Sequence, residues 1–313
     1  MSVAARTGAP RRREGIKPLV ERRFPLDLHP RLSSVRALYE AAKESRWDPA
    51  RSIAWSSFQP ADYSAEQLAA ARLSWSHHVW CEYGRIAETP ALLMRFCLEH
   101  AGESDAKMFI TVRGTQEIWH LECRTRMADL LGGQVAAPAS DVYAAVFDQR
   151  LYAEAFDPAL PPAAFIAAHS AVRDGLALEL HREQLRHARD PLVISILRRL
   201  VADKESHAAF GWLFLEETHA NWPAGLAAQM TEEIADAVGR IEFAGFHCAW
   251  LAAGDCAADI VSADRITREA GLGACTPEEE RAVLVRYFTD VRTRLARLGV
   301  ILPTMNHPAL GSV

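Results

Sequence analysis

Apolar residues recur at helical spacing along almost the whole chain from Ser64 to Val300, and no section is rich in strand-forming residues. Alanine, leucine, arginine and glutamate are abundant there, whereas proline and glycine stand mainly at the breaks. The first 60 residues differ, because proline and tryptophan are scattered through them. The pattern predicts an all-α protein with a flexible or extended N-terminal arm over 1–60, containing a short helix near 34–45. A helical domain over 61–301 and a C-terminal tail over 302–313 follow.

Capping signals and breaks divide the helical domain into four long helices and shorter ones. The first begins at the capping box of Ser64 and Gln67, and the second runs from about 105 to 131. The third begins at Pro161 and ends near Asp190, where the fourth begins and continues to about 221. Helices over roughly 224–250 and 277–298 follow. Short turns within each pair predict two antiparallel hairpins, and the link over 134–160 predicts a crossover between them, as in a four-helix bundle.

Charge and composition limit the kinds of binding partner that are expected. The formal net charge is −5 and the sequence pI is near 6.2, so no general attraction to nucleic acid is expected. No apolar run approaches the ~20 residues of a membrane helix, and no secretory signal is present, which favours a cytoplasmic protein with reduced cysteines. The one basic cluster, over 6–23, is interrupted by acidic residues and predicts a mobile or partner-wrapping tail, with a transit peptide as the second interpretation.

Candidate chemistry begins in the segment TQEIWHLEC, where Glu117 and His120 stand three residues apart. On a helix, this spacing lets a carboxylate and an imidazole reach one metal from the same face. Glu82 lies on the preceding helix among apolar residues, and the hairpin can bring it opposite Glu117. Glu179 lies between leucines on the third helix, where a carboxylate is costly unless it is paired or coordinated.

The turn at Asp190 and Pro191 provides a register for the second hairpin. Glu179 precedes the turn by 11 residues and Lys204 follows it by 13, so antiparallel helices place Glu179 level with Lys204 and His207. The segment DKESHAAFGW, which contains Asp203, Lys204 and His207, resembles the DExxHAxFGW helix of the ferritin-like diiron-carboxylate superfamily. The resemblance covers about 64–220, and five of the six ligand positions match.

That resemblance implies a ferritin-like four-helix bundle with additional C-terminal helices and a carboxylate-bridged dimetal centre that activates dioxygen. It assigns Glu82 and His120 to one metal, Glu179 and His207 to the other, and Glu117 to a bridge between them. Asp203 would orient a histidine. Iron, as a diiron pair, is the expected cofactor, with manganese or a single metal as alternatives.

Lys204 stands where that family has its sixth ligand, a glutamate, and a protonated lysine cannot coordinate a metal. Asp203 could take over as ligand, or the ammonium could fill the vacated position and form salt bridges to Glu117 and Glu179. Alternatively, the lysine could itself act as ligand, base or nucleophile, or carry a carbamate. It could also mark a decayed site in a structural bundle, with Lys204 exposed.

The sequence therefore predicts a non-haem dimetal oxygenase or oxidase that uses dioxygen on a small organic molecule, with Lys204 and Asp203 as catalytic residues. The alternative is a metal-free or degenerate bundle, either using Lys204 in a non-redox reaction or serving as an interaction protein. A homodimer is also expected, because bundles of this type often pair through helix faces.

Overall fold

The computed structural model describes residues 28–99, 103–138, 146–147, 151–253 and 257–313. Within these residues the chain is mainly helical, with one short two-stranded sheet, and the predicted all-α class is confirmed. The basic cluster over 6–23 lies outside them. No helix in this part of the chain has the length and apolar character needed to cross a membrane.

The N-terminal half supplies the first helical hairpin and a helix that packs on it. The elements are α1 (Ser33–Glu44), α2 (Pro49–Ser52), α3 (Ala65–Arg85), α4 (Glu88–Glu99) and α5 (Asp105–Leu130). The capping box of Ser64 and Gln67 fixes the start of α3 as the sequence predicts. Helix α1 belongs to the predicted arm, yet it packs against α5 with Val35 fully buried.

The C-terminal half supplies the second hairpin and the supporting helices. The elements are α6 (Leu151–Ala155), α7 (Pro162–Phe165), α8 (Asp174–His187), α9 (Pro191–Thr218), α10 (Leu226–Ala237), α11 (Ala258–Ala270), α12 (Pro277–Arg297), β1 (Asn306–His307) and β2 (Gly311–Ser312). A π-helical stretch, Ile166–Arg173, joins α7 to α8 without a break. The predicted helix over 224–250 extends too far, because the helical run of α10 ends with a π-helical turn, Val238–Glu242, and the chain then turns at Gly245, where φ is +99°.

Four helices form the bundle: α3 and α5 as one antiparallel pair, and the continuous run from α7 to α8 with α9 as the other. Asp190 caps α9 by accepting hydrogen bonds from the backbone of Leu192 and Val193. The core divides into a large cluster around Phe165, Phe210 and Phe288, a second around Trp75 and a small third one around Trp80. Between the two hairpins lies a layer of buried polar and charged side chains.

Candidate metal centre

Most of the residues predicted to form the site meet in that polar layer. Helix α3 contributes Glu82, α5 contributes Glu117 and His120, and α9 contributes Lys204 and His207. All five are buried, and both imidazoles are 0% exposed. The helical spacings that suggested one shared face are therefore reproduced on α5 and α9.

Asp203 lies behind the two histidines at the centre of a hydrogen-bond network. Its Oδ2 atom accepts from His120 Nε2 at 3.0 Å and from Trp47 Nε1 at 3.0 Å, and its Oδ1 atom accepts from Gln116 Nε2 at 2.8 Å. The Gln116 Oε1 atom is left to accept from His207 Nε2 at 3.0 Å. Both carboxylate oxygens of Asp203 are thus engaged in orienting other side chains.

This network fixes the tautomer of both rings. Asp203 Oδ2 and Gln116 Oε1 are acceptors, so the Nε2 atoms of His120 and His207 carry the proton and the Nδ1 atoms carry lone pairs. Both Nδ1 atoms are buried without a hydrogen-bond partner, and so is Glu117 Oε2. Burial and the nearby charge of Arg113 hold the pKa of His207 well below its usual value, which favours the neutral ring that a metal requires.

Three arginines share the polar layer, and the sequence-based prediction missed them. Arg113 Nε donates to Glu117 Oε1 at 3.0 Å, and Arg124 Nε lies 3.6 Å from Glu82 Oε1. Arg85 is the third. Their spacing could have revealed them, because they stand at i−4, i+4 and i+3 from Glu117, His120 and Glu82 on the same helix faces.

Asp174, at the first residue of α8, is the carboxylate that the third helix brings to the centre. Arg85 Nη2 donates to its Oδ1 atom at 3.0 Å, and Arg113 Nη2 lies 2.9 Å from Oδ2. Lys204 Nζ lies 3.7 Å from Oδ1. Burial opposes the negative charge of Asp174, but these cations outweigh it and hold its pKa well below the usual value.

Glu179 is not part of this group. It is half-buried at the outer face of α8, where Arg182 Nη1 donates to its Oε1 atom at 2.6 Å and Arg286 reaches its Oε2 atom. Arg182 also bonds Glu205, the neighbour of Lys204. Counting residues from the turn therefore gives the correct position of Glu179 along the helix axis. However, Glu179 points away from the centre, and the salt bridge between Glu179 and Lys204 is absent.

Lys204 is 1% exposed, so the hypothesis of an exposed lysine is wrong. Its ammonium stands among carboxylates and faces Asp174 across the hairpins. Burial raises the pKa of Glu82, yet the charges of Lys204 and Arg124 reverse that effect and bring it below the usual range. Four buried cations thus balance the carboxylates of the layer before any metal is considered.

Little empty space lies beside the side chains that could bind a metal. A cavity of about 20 Å³ lies between Glu82, Arg124 and His181, enough for one water-sized molecule. A wider pocket of about 360 Å³ between α1 and α5 reaches Gln116 and Trp119, behind the histidines. Among the described residues, the central side chains do not form a group of three donors within 4.8 Å of one another, so holding a metal would require them to draw together.

The helical order and the packing of the two hairpins around the polar layer define a ferritin-like bundle. Among solved structures, the chain is similar to R2-like ligand-binding oxidases. One with an aerobically reconstituted metal cofactor after photoconversion gives a TM-score of 0.64 at 15% identity, over 83% of this chain and 92% of that one. One with an aerobically reconstituted Mn/Fe cofactor gives 0.63 at 17% identity, over 85% and 93%.

A third, a variant with an aerobically reconstituted Fe/Fe cofactor, gives a TM-score of 0.58 at 16% identity, over 83% of this chain and 92% of that one. No family model and no curated relative matches the sequence. At these identities, the likeness establishes the fold.

Proposed function

We propose that this chain is a metal-dependent oxidase or oxygenase of the ferritin-like type, acting with dioxygen on a small organic molecule. The observation that supports it best is the pair of buried imidazoles, His120 and His207. Each has its Nε2 atom tied into the network of Asp203 and Gln116 and its Nδ1 lone pair unpartnered. An unpaired buried acceptor costs about 1–3 kcal/mol, and a metal ion is the partner that such a tautomer suits.

The donors fit one metal ion better than two. His120 Nδ1, His207 Nδ1 and Glu117 Oε2 would hold it, with Glu82 beside them. Two histidines and one carboxylate form the set typical of non-haem iron(II), and manganese accepts the same atoms. The second position of a dimetal pair would meet the ammonium of Lys204 and the guanidinium of Arg113, which already neutralise Asp174. Bound iron would supply one-electron and dioxygen chemistry.

The chain's own residues would prepare that centre. Asp203 holds the His120 ring in place, and Gln116 transmits the same constraint to His207. Arg113 orients Glu117 through Oε1 and leaves Oε2 free. The Lys204 side chain lies beside Asp174 within the layer, where its amine can donate to an anionic group or anchor an acidic substrate.

A second candidate is a metal-free bundle that serves as an interaction protein or uses Lys204 in a non-redox reaction. It is favoured by the pairing of the carboxylates: Glu82 faces Arg124, Glu117 bonds Arg113, and Asp174 is surrounded by three cations. A buried network of this kind needs no metal to be satisfied electrostatically. It leaves the two Nδ1 atoms unexplained, which is why we place it second.

The deciding experiment measures iron and manganese by plasma mass spectrometry in the wild-type chain and in variants that remove one donor each, His120→Gln and His207→Gln. The matched control is Glu205→Gln, an exposed position on the same helix as His207. We expect about one metal per chain to disappear from each histidine variant and none from the control. Equal metal content in all four proteins would contradict the proposal and favour the metal-free bundle.

A further inference from the structure

A second group of ligand-bearing side chains lies where three separate segments converge. Glu154 belongs to α6, His169 to the π-helical stretch and Glu233 to α10. One ligand atom from each lies within 4.8 Å of the other two, and among the described residues this is the group that meets that criterion. The convergence is therefore tertiary, and no sequence spacing predicts it.

The three ligand atoms lack hydrogen-bond partners. His169 Nε2 lies 3.5 Å from Glu233 Oε1 and 3.7 Å from Glu154 Oε2, and all three atoms are buried without a hydrogen bond. His169 is 1% exposed, Arg173 bonds its Nδ1 atom, and the two distances place its Nε2 atom on the side of the two carboxylates. Atoms that share one zinc ion at about 2.0–2.2 Å lie roughly 3.2–3.6 Å apart. The two separations from His169 Nε2 are close to that range, and the two carboxylate oxygens lie within 4.8 Å of each other.

The surroundings suit a cation that arrives from solvent. The side chains of Glu154 and Glu233 are 26% and 16% exposed, so an ion from solvent can reach the two carboxylates and the buried imidazole beside them. Burial, together with the neighbouring carboxylates of Glu154 and Asp236, raises the pKa of Glu233 to about 7. Arg240 neutralises the outer oxygen of Glu154 at 2.8 Å but does not occupy the inner one.

The hydrogen bond from Arg173 to His169 makes metal binding at this site less favourable. Its Nη1 atom donates to His169 Nδ1 at 3.0 Å, so in the metal-free chain the ring proton sits on Nε2 and points at the carboxylates. A metal ion at Nε2 requires that proton to move to Nδ1 and Nη1 of Arg173 to turn away. The bond from Arg173 Nε to Glu242 Oε1 at 2.6 Å can persist during that turn. The site is therefore expected to bind more weakly than one with a preset tautomer.

We propose that Glu154, His169 and Glu233 bind one divalent transition-metal ion of the zinc class, with water completing its coordination. One nitrogen and two carboxylate oxygens match the ligands that zinc takes in open, four-coordinate sites. The ion would link α6 and α10 to the π-helical stretch. This site shares no residue with the centre on α3, α5 and α9, so either proposal can be disproved without affecting the other.

The test is zinc titration by calorimetry of the full chain in a background that carries His120→Ala and His207→Ala, so that the central donors are removed. In that background, Glu233→Gln is compared with Glu232→Gln, the exposed neighbour on the same helix turn. We expect about one zinc per chain in the background and in the Glu232 variant, with affinity at least tenfold lower in the Glu233 variant. Cobalt(II) should give the intense visible absorption of a four-coordinate ion only where zinc binds.

If the background does not fold, the same two variants are compared in the otherwise wild-type chain, where the central donors are identical in both. Zinc bound equally by the Glu232 and Glu233 variants would overturn the proposal. So would a background that remains folded, as judged by circular dichroism, and takes up no zinc. A six-coordinate cobalt spectrum unchanged by Glu154→Gln would also overturn it.

Discussion

At the scale of single residues, Asp203 controls the protonation pattern of the centre. Its two oxygens accept from His120, Trp47 and Gln116, and Gln116 passes the constraint to His207. In Asp203→Asn one of the two acceptor atoms becomes a donor, so either His120 or Gln116 meets an amide N–H, and the tautomer of His120 or of His207 is no longer fixed. Because such supporting groups are typically worth 10–100-fold in metal affinity, we expect a loss of about 1.4–2.7 kcal/mol in binding.

The measurement for Asp203→Asn is iron(II) or manganese(II) affinity by calorimetry. Glu205→Gln is the matched control, since it removes one negative charge two residues further along the same helix but on the exposed face. Equal affinity in the Asp203 variant and the wild type would show that the network does not prepare the histidines for a metal.

Lys204 decides how many metals the centre can hold. Lys204→Glu changes the local charge by two units and adds the carboxylate that the related family has at this position. The metal content of the centre is measured as the number of ions lost when the central histidines are replaced. We expect it to rise from about one to about two ions per chain, because the cation that excluded the second ion is gone. Lys204→Met is the control, since it removes the charge without adding a ligand, and should stay at one. Unchanged content in Lys204→Glu would contradict this role.

At the scale of elements, the close approach of α9 to the π-helical stretch positions the second hairpin. Gly211 lies where a Cβ atom would stand 2.5 Å from the carbonyl carbon of Ser170 and would also collide with the backbone of Ala171. Backbone cannot rotate away as a long side chain can. We therefore expect Gly211→Ala to lower the free energy of unfolding by about 1–3 kcal/mol or more.

Gly239→Ala is the matched control for Gly211, since a Cβ there meets nothing within 4 Å. Alanine should change stability by no more than about 1 kcal/mol there, and in the stabilising direction. Chemical denaturation of both variants provides the comparison. A similar unfolding free energy for the two would show that α9 does not depend on this contact.

The elements also show what the sequence could determine. Capping boxes and proline breaks predicted the four long helices to within a few residues, because those signals are local. Counting residues from Asp190 predicted the position of Glu179 along the helix axis. That position is correct, because Arg182 bonds both Glu179 and Glu205, the neighbour of Lys204. Counting could not predict the helix face on which Glu179 lies, because that face depends on how the whole run from α7 to α8 is rotated about its axis.

The residues that the prediction missed share a physical reason. Buried arginine is rare, so Arg85, Arg113 and Arg124 were not expected in the core, and each is there because a carboxylate pairs with it. Asp174 follows directly on the π-helical stretch, and neither its wide turn nor the tertiary pairing leaves a sequence signal. The Glu154, His169 and Glu233 group depends on three segments that only the folded chain brings together.

At the scale of the whole molecule, the polar layer joins both hairpins, so a metal bound there links binding to global stability. An ion that binds the native chain at 100 times its dissociation constant stabilises it by about 2.7 kcal/mol. For a domain of this size, each kcal/mol shifts the unfolding midpoint by roughly 2–4 °C. We therefore predict that saturating manganese(II) raises the unfolding temperature by about 5–10 °C, and that a chelator reverses the rise.

This experiment is best done in the Glu233→Gln chain, so that only the central donors respond, and manganese(II) avoids the oxidation that iron(II) would undergo during heating. His207→Gln in the same chain removes one unpartnered Nδ1 atom and should abolish most of the shift, whatever its own unfolding temperature. Equal shifts with and without His207 would mean that the ion binds elsewhere. The layer would then act as a salt-bridged joint between the hairpins, stabilised by its arginines and Lys204 alone.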